Sequence, residues 1–175
     1  MILKSTRIFG IWILAFLAFN VLGKKVTDKI KVVNFNRPSW AYLTKFQLNI
    51  GTGSYKFRIK LETAMEESQN PPEGIPIWLH GFYDKYWHEV MKLEDCDKRV
   101  QLANINLNVN MPSNGEWSEW KYGKISQARR PHIWYFVLSD CDKFLPRITD
   151  QKMRFVYEIE ILNSNGSQLS GADVK

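Results

Sequence analysis

Residues 40–62, WAYLTKFQLNIGTGSYKFRIKLE, hold the pattern that decides the fold. Tyr42, Phe46, Leu48 and Ile50 fall on one parity, with Lys45, Gln47 and Asn49 between the later ones. After Gly51-Thr52-Gly53-Ser54, the residues Tyr55, Phe57, Ile59 and Leu61 alternate with Lys56, Arg58, Lys60 and Glu62. Successive side chains of a strand point to opposite faces, so alternation of period two marks a strand with one dry and one wet face. Two such runs around a glycine-containing turn predict a β-hairpin.

The same period returns on either side. Ile105, Leu107, Val109 and Met111 are separated by three asparagines, and Met153, Phe155, Tyr157, Ile159 and Ile161 alternate with Arg154, Glu158 and Glu160. Val100 and Leu102 have the opposite parity to Ile105, which predicts a bulge near Ala103 if that strand is continuous. Ile133 to Leu138 is apolar on both faces and predicts a central, buried strand, and Ile77 to Tyr83 a further one. Asp84 to Leu93 suits a short helical turn with Trp87, Val90 and Met91 on one side. Pro71, Pro72, Gly74 and Pro76 make the stretch from Glu66 a loop, and Pro112-Ser113-Asn114-Gly115 is a turn. Lys24 to Pro38 is a mixed leading segment with one apolar stretch, Ile30 to Val33. About seven or eight strands and no long helix predict an all-β fold, an antiparallel β-sandwich of jelly-roll type.

The first 23 residues differ from the rest. Lys4 and Arg7 precede a 12-residue apolar run from Ile8 to Phe19, and Val21, Leu22 and Gly23 stand just before Lys24-Lys25. This is the three-part layout of a secretory signal peptide, and the run is short of the roughly 20 residues that span a bilayer as a helix. The expected organisation is therefore a signal peptide over 1–23 and one extracytosolic domain over 24–175. Without Lys4 and Arg7 the chain keeps 22 basic against 18 acidic residues. So mild and scattered a surplus does not describe a nucleic-acid surface, and no nucleic-acid partner is expected.

Cys96 and Cys141 are the 2 cysteines, 45 positions apart. An even count in an oxidising compartment predicts one disulfide, which on the chain-entropy account adds about 4 kcal/mol. The competing use, a metal site or a reactive thiol, lacks the close cysteine spacing of a zinc site, and His80, His88 and His132 form no HxxxH or HxxE pattern. No nucleophile elbow or phosphate loop occurs, so neither an enzyme nor a cofactor is expected. A glycosidase would need two carboxyls about 5–10 Å apart across a cleft. Glu66-Glu67, Glu94-Asp95 and Asp140 with Asp142 are the acidic pairs on offer. Asn165-Gly166-Ser167 is an N-glycosylation sequon. Trp117 and Trp120 have the W-x-x-W spacing of a C-mannosylation acceptor, while Trp40 and Trp134 suit core packing.

Several stretches together resemble the intimal thickness-related receptor family: Trp40 to Phe46 with Phe57-Arg58, then Glu94-Asp95-Cys96, Trp117-Ser118-Glu119-Trp120, Arg130 to Cys141, and Tyr157-Glu158-Ile159 with Leu162-Asn163. The resemblance spans roughly residues 38–165, and Trp134-Tyr135-Phe136-Val137-Leu138-Ser139-Asp140-Cys141 is its most specific part. It implies a lumenal GOLD-type β-sandwich with Cys96 bonded to Cys141. It also implies a place in Golgi or cell-surface membranes, through a seven-helix region similar to G-protein-coupled receptors. This chain stops at Lys175, about where such a region would begin.

Two functions follow as expectations. The first is an extracytosolic recognition domain of a seven-helix receptor or trafficking protein, binding a protein or peptide ligand or cargo. The second is a secreted carbohydrate-binding β-sandwich that uses exposed tryptophans.

Overall fold

A computed structural model of the chain describes residues 24–31, 40–62, 74–141 and 154–166. In order these form β1 (Lys24–Lys31), β2 (Trp40–Leu48), β3 (Gly51–Leu61), β4 (Gly74–Tyr83), α1 (Asp84–Val90), α2 (Cys96–Gln101), β5 (Ile105–Pro112), β6 (Lys121–Gln127), β7 (His132–Ser139) and β8 (Arg154–Leu162). The signal-peptide expectation over 1–23 lies outside the described residues.

Two antiparallel sheets stack as a sandwich, one in the order β1-β8-β3-β6 and the other β2-β7-β4-β5. The first strand pairs with the eighth, the second with the seventh, the third with the sixth and the fourth with the fifth. Alternate pairs lie in opposite sheets, joined sideways by β8–β3 and β7–β4. A long ribbon of paired strands rolled up in this way is the jelly roll. Its alternating residues meet in the middle: Phe46, Phe57, Ile59, Leu79, Phe136 and Ile159 are all buried between the sheets. Each such side chain contributes about 1.5–3 kcal/mol by leaving water.

The hairpin predicted for residues 40–62 does not form. β2 pairs with β7, whereas β3 pairs with β6 and β8, so Asn49-Ile50 crosses from one layer to the other. Gly51 to Ser54, expected as a turn, already belong to β3. The corner is held by the end of β8: Asn163 Oδ1 accepts the Asn49 N–H at 2.8 Å, and Ser164 Oγ donates to the Ile50 carbonyl at 3.0 Å. Gly51 turns it at φ +116°, where an added Cβ would sit 2.6 Å from the Ser164 side chain. Alternation reports which face is dry; it does not name the neighbouring strand. Two runs facing one core from opposite layers have the same pattern as a hairpin.

Other expectations shift for physical reasons. A register shift between Tyr42 and Thr44 flips the parity of β2, so Leu43 is buried and Tyr42 half exposed. Ile50 lies in the corner, also exposed. Residues Cys96–Gln101 are helical, so no bulge at Ala103 is needed: β5 begins at Ile105. Asp95 starts that helix by accepting the Lys98 N–H on its side chain at 3.0 Å. The leading segment contains β1, whose charged stretch pairs along β8. β6, KYGKISQ, had no strong apolar pattern because only Ile125 and Gln127 are buried in it. The central strand at Ile133 to Leu138 is as expected: β7 lies between β2 and β4 and is covered on both faces. Its outer face carries a second small core of Trp40, Phe82, Val90 and Val137, packed under α1 by Trp87.

Candidate ligand cleft

The layers part where β6 ends in one sheet and β7 begins in the other. The link 128–131 spans the gap, and the end of β4 with the start of α1 forms the far wall. The cavity at this end of the sandwich measures about 520 Å³, and a separate groove of about 590 Å³ lies on the outer face of β3, β6 and β8. Both fall within the range of small-molecule sites. The outer groove runs past Lys56, Tyr122, Lys124 and Glu160, and two of its charges pair with each other, Lys56 Nζ lying 3.0 Å from Glu160. The end cleft is different.

Its wall includes Tyr83, Asn104, Ser126, Gln127, His132 and Trp134, with Lys85 and Arg129 also contributing. Among the described residues, the buried side-chain polar atoms without a hydrogen-bond partner are Gln127 Nε2, Gln127 Oε1 and Trp134 Nε1. All three belong to this one wall. Both residues are 7% exposed. Leaving a buried polar group unpaired costs about 1–3 kcal/mol, so three together are not what packing alone selects.

The aromatic and charged groups around them are positioned by their neighbours. Tyr83 and Trp134 are register partners across β4 and β7, with ring centroids 5.8 Å apart. The Tyr83 ring meets His132 edge-on at 5.1 Å and Tyr86 at 4.9 Å. His132 Nδ1 lies 2.7 Å from Asp84 Oδ1, which also accepts the Lys85 N–H at 2.9 Å. Interaction between the Tyr83 and Tyr86 hydroxyls above all raises the Tyr83 pKa and lowers that of Tyr86. The cleft wall thus includes an amide and an indole N–H that are buried and unpaired just behind its surface, the Tyr83 side chain, and the cations Lys85 and Arg129.

The residues expected from sequence fall elsewhere. Cys96 and Cys141 form the disulfide, tying the start of α2 to the end of β7. Asn165 is exposed in the turn after β8, while Ser167 of its sequon lies outside the described residues. Trp117 and Trp120 lie against the outer face of the first sheet. The Arg58 guanidinium stands 4.3 Å from the Trp117 ring and 4.5 Å from the Trp120 ring. Lys60 approaches Trp117 at 5.1 Å and Lys56 approaches Trp120 at 4.5 Å. Their π-faces are engaged by cations, not open for a sugar.

Of the acidic pairs, Glu66-Glu67 and Asp142 lie outside the described residues. Asp97 and Asp140 line a cavity of about 140 Å³ with Trp78, His80 and Ser139, below the roughly 300 Å³ at which small-molecule pockets begin. There His80 Nδ1 lies 2.6 Å from Asn106 Oδ1, and Nε2 lies 2.8 Å from Ser139 Oγ. The amide oxygen only accepts, so Nδ1 carries the proton and Ser139 donates to Nε2. The order of groups mimics a serine–histidine triad, but Ser139 is fully buried beside the disulfide. Gln127 belongs to no sequence motif that marks a functional residue. Its signal was parity: it shares the inward face of β6 with Ile125.

No family model and no curated protein matches the chain. Among solved structures it is similar to the EclA C-terminal domain, described as a sugar-binding protein. The TM-score is 0.42 and the identity 10%, over 87% of this chain and 89% of that one. At those values the likeness carries no argument about the ligand. Among the described residues no helix is long and apolar enough to cross a membrane.

Proposed function

We propose that this chain is an extracytosolic recognition domain whose end cleft takes a small polyhydroxylated ligand, a sugar or sugar-like group. The observation that carries the reading is the set of unpaired buried atoms on one cleft wall, Gln127 Oε1, Gln127 Nε2 and Trp134 Nε1. A pair of adjacent hydroxyls complements the amide, one donating to Oε1 and the other accepting from Nε2, and the indole N–H suits a third oxygen. The apolar face of a sugar ring packs on an aromatic such as Tyr83. Support for the compartment comes from the Cys96–Cys141 disulfide, a bond that persists under oxidising conditions, and from exposed Asn165.

A second reading keeps the seven-helix, receptor-like setting implied by the resemblance to intimal thickness-related receptors, with a protein or peptide as the ligand. It is favoured by Tyr42 and Met91, which are exposed at 50% and 52% near the helices on the outer face of the second sheet. A glycan array followed by titration calorimetry separates the two. Sugar binding that Gln127→Met or Trp134→Phe abolishes is the expected result. If no glycan binds, or if binding ignores both substitutions, the cleft reading fails and the protein-partner reading stands.

A further inference from the structure

Two large indoles stand outside the core on the first sheet, and their arrangement is built. In a regular strand, residues three apart face opposite sides, yet Trp117 and Trp120 both meet the outward row Lys56, Arg58 and Lys60 of β3. Ser118 makes this possible. Its N–H donates to the Ile59 carbonyl at 2.9 Å, and its Oγ accepts the Ile59 N–H at 3.1 Å. A single inward residue thereby takes both hydrogen bonds of Ile59 and leaves the tryptophans on either side of it turned outward. Arg58 is fixed in turn by Glu158, with Nη2 at 2.7 Å and Nε at 3.0 Å from the same oxygen. Each ring has two cations of this row within 5.1 Å of its centroid, and both indoles are only half-buried.

We infer that Trp117 is a C-mannosylation site, modified on C2 of the indole during passage through the secretory pathway. The inference rests on the extracytosolic placement proposed above. Enzymes of this chemistry select a tryptophan with another three residues on, and of the 7 tryptophans here Trp117 alone has one. The donor is a dolichol-linked mannosyl phosphate. The bond between mannose C1 and the phosphate oxygen breaks, with the electron pair leaving on dolichyl phosphate. A bond forms between C1 and indole C2, and the C2 proton is lost, so no oxidant or reductant is required. The ladder then accepts the product: a substituent on the edge of Trp117 leaves the ring faces with Arg58 and Lys60, and its hydroxyls are solvated.

The test is peptide mass spectrometry on the full chain made in secretory cells that modify a co-expressed acceptor, compared with cells lacking the C-mannosyltransferase. The tryptic peptide over 100–121 contains both tryptophans. The expected result is one hexose on Trp117 that survives N-glycosidase, is absent from the deficient cells and is lost in Trp120→Ala. Both secreted and cell-retained protein are digested, so a folding defect in the variant does not hide the outcome. An unmodified Trp117 beside a glycosylated Asn165 overturns this inference and leaves the compartment reading standing. Absence of both modifications overturns both.

Discussion

Single residues show where the molecule departs from what stability alone would choose. Gln127 is the sharpest case, an amide with both ends unpaired on an inward position of β6. Gln127→Met keeps its length and removes the polar group, so it is expected to raise stability by about 1–2 kcal/mol in urea denaturation while abolishing binding in the cleft. A destabilised variant would show that the amide has a structural partner after all. His80 makes the opposite point, a polar side chain that is satisfied and yet costs stability in acid. Burial lowers its pKa from 6.5 to about 4, against the hydrogen bond to Asn106. As pH falls the unfolded chain therefore takes up the proton first. The contribution of neutral His80 is complete above pH 6.5 and is lost as pH falls toward 4, an effect of about 3 kcal/mol. Denaturation at pH 7 and pH 4.5 should show a drop that is about 2–3 kcal/mol smaller in His80→Gln. An equal drop in both proteins would place the acid sensitivity elsewhere.

At the scale of elements, what could be read from sequence is divided by physics. Strand existence was legible wherever one face is dry: Phe57-Ile59-Leu61, Val109-Met111 and Phe155-Tyr157-Ile159 alternate because half of each strand is core. The buried run at β7 was legible for the related reason that both of its faces are covered. β6 was not, since an edge strand with few buried side chains needs no apolar pattern, and neither was β1, whose sequence KKVTDKIK is dominated by charge. Pairing was not legible either, as the corner at Asn49-Ile50 shows. The cleft was hidden for the same reason, because its wall joins residues of β4, β6 and β7 that meet only after the layers are stacked. Gly51 tests the corner. An alanine there adopts an unfavourable positive φ and meets Ser164, so Gly51→Ala is expected to cost about 1–3 kcal/mol. If the corner were a free turn, the melting temperature would hardly change.

For the whole molecule, the disulfide joins two parts with different jobs. The jelly roll closes by its own strand pairing, β1 with β8 through β4 with β5, and does not need Cys96–Cys141 to do so. The bond instead fastens α2 across the end of β7, over the outer face that buries His80 and the small core of Trp40, Phe82 and Val137. Removing both cysteines as Cys96→Ala with Cys141→Ala lengthens the accessible unfolded chain and should cost about 2–5 kcal/mol. The loss should be unevenly distributed. Amide hydrogen exchange is expected to rise most in α2 and at the end of β7, where the cover is released, while the inner strands β3 and β8 keep their relative protection. Sugar binding at the far cleft should survive, because Tyr83, Gln127 and Trp134 are held by β4, β6 and β7 rather than by the bridge. Uniform loss of protection, with binding lost in parallel, would mean that the bridge holds the sandwich itself together and that cover and roll fold as one unit.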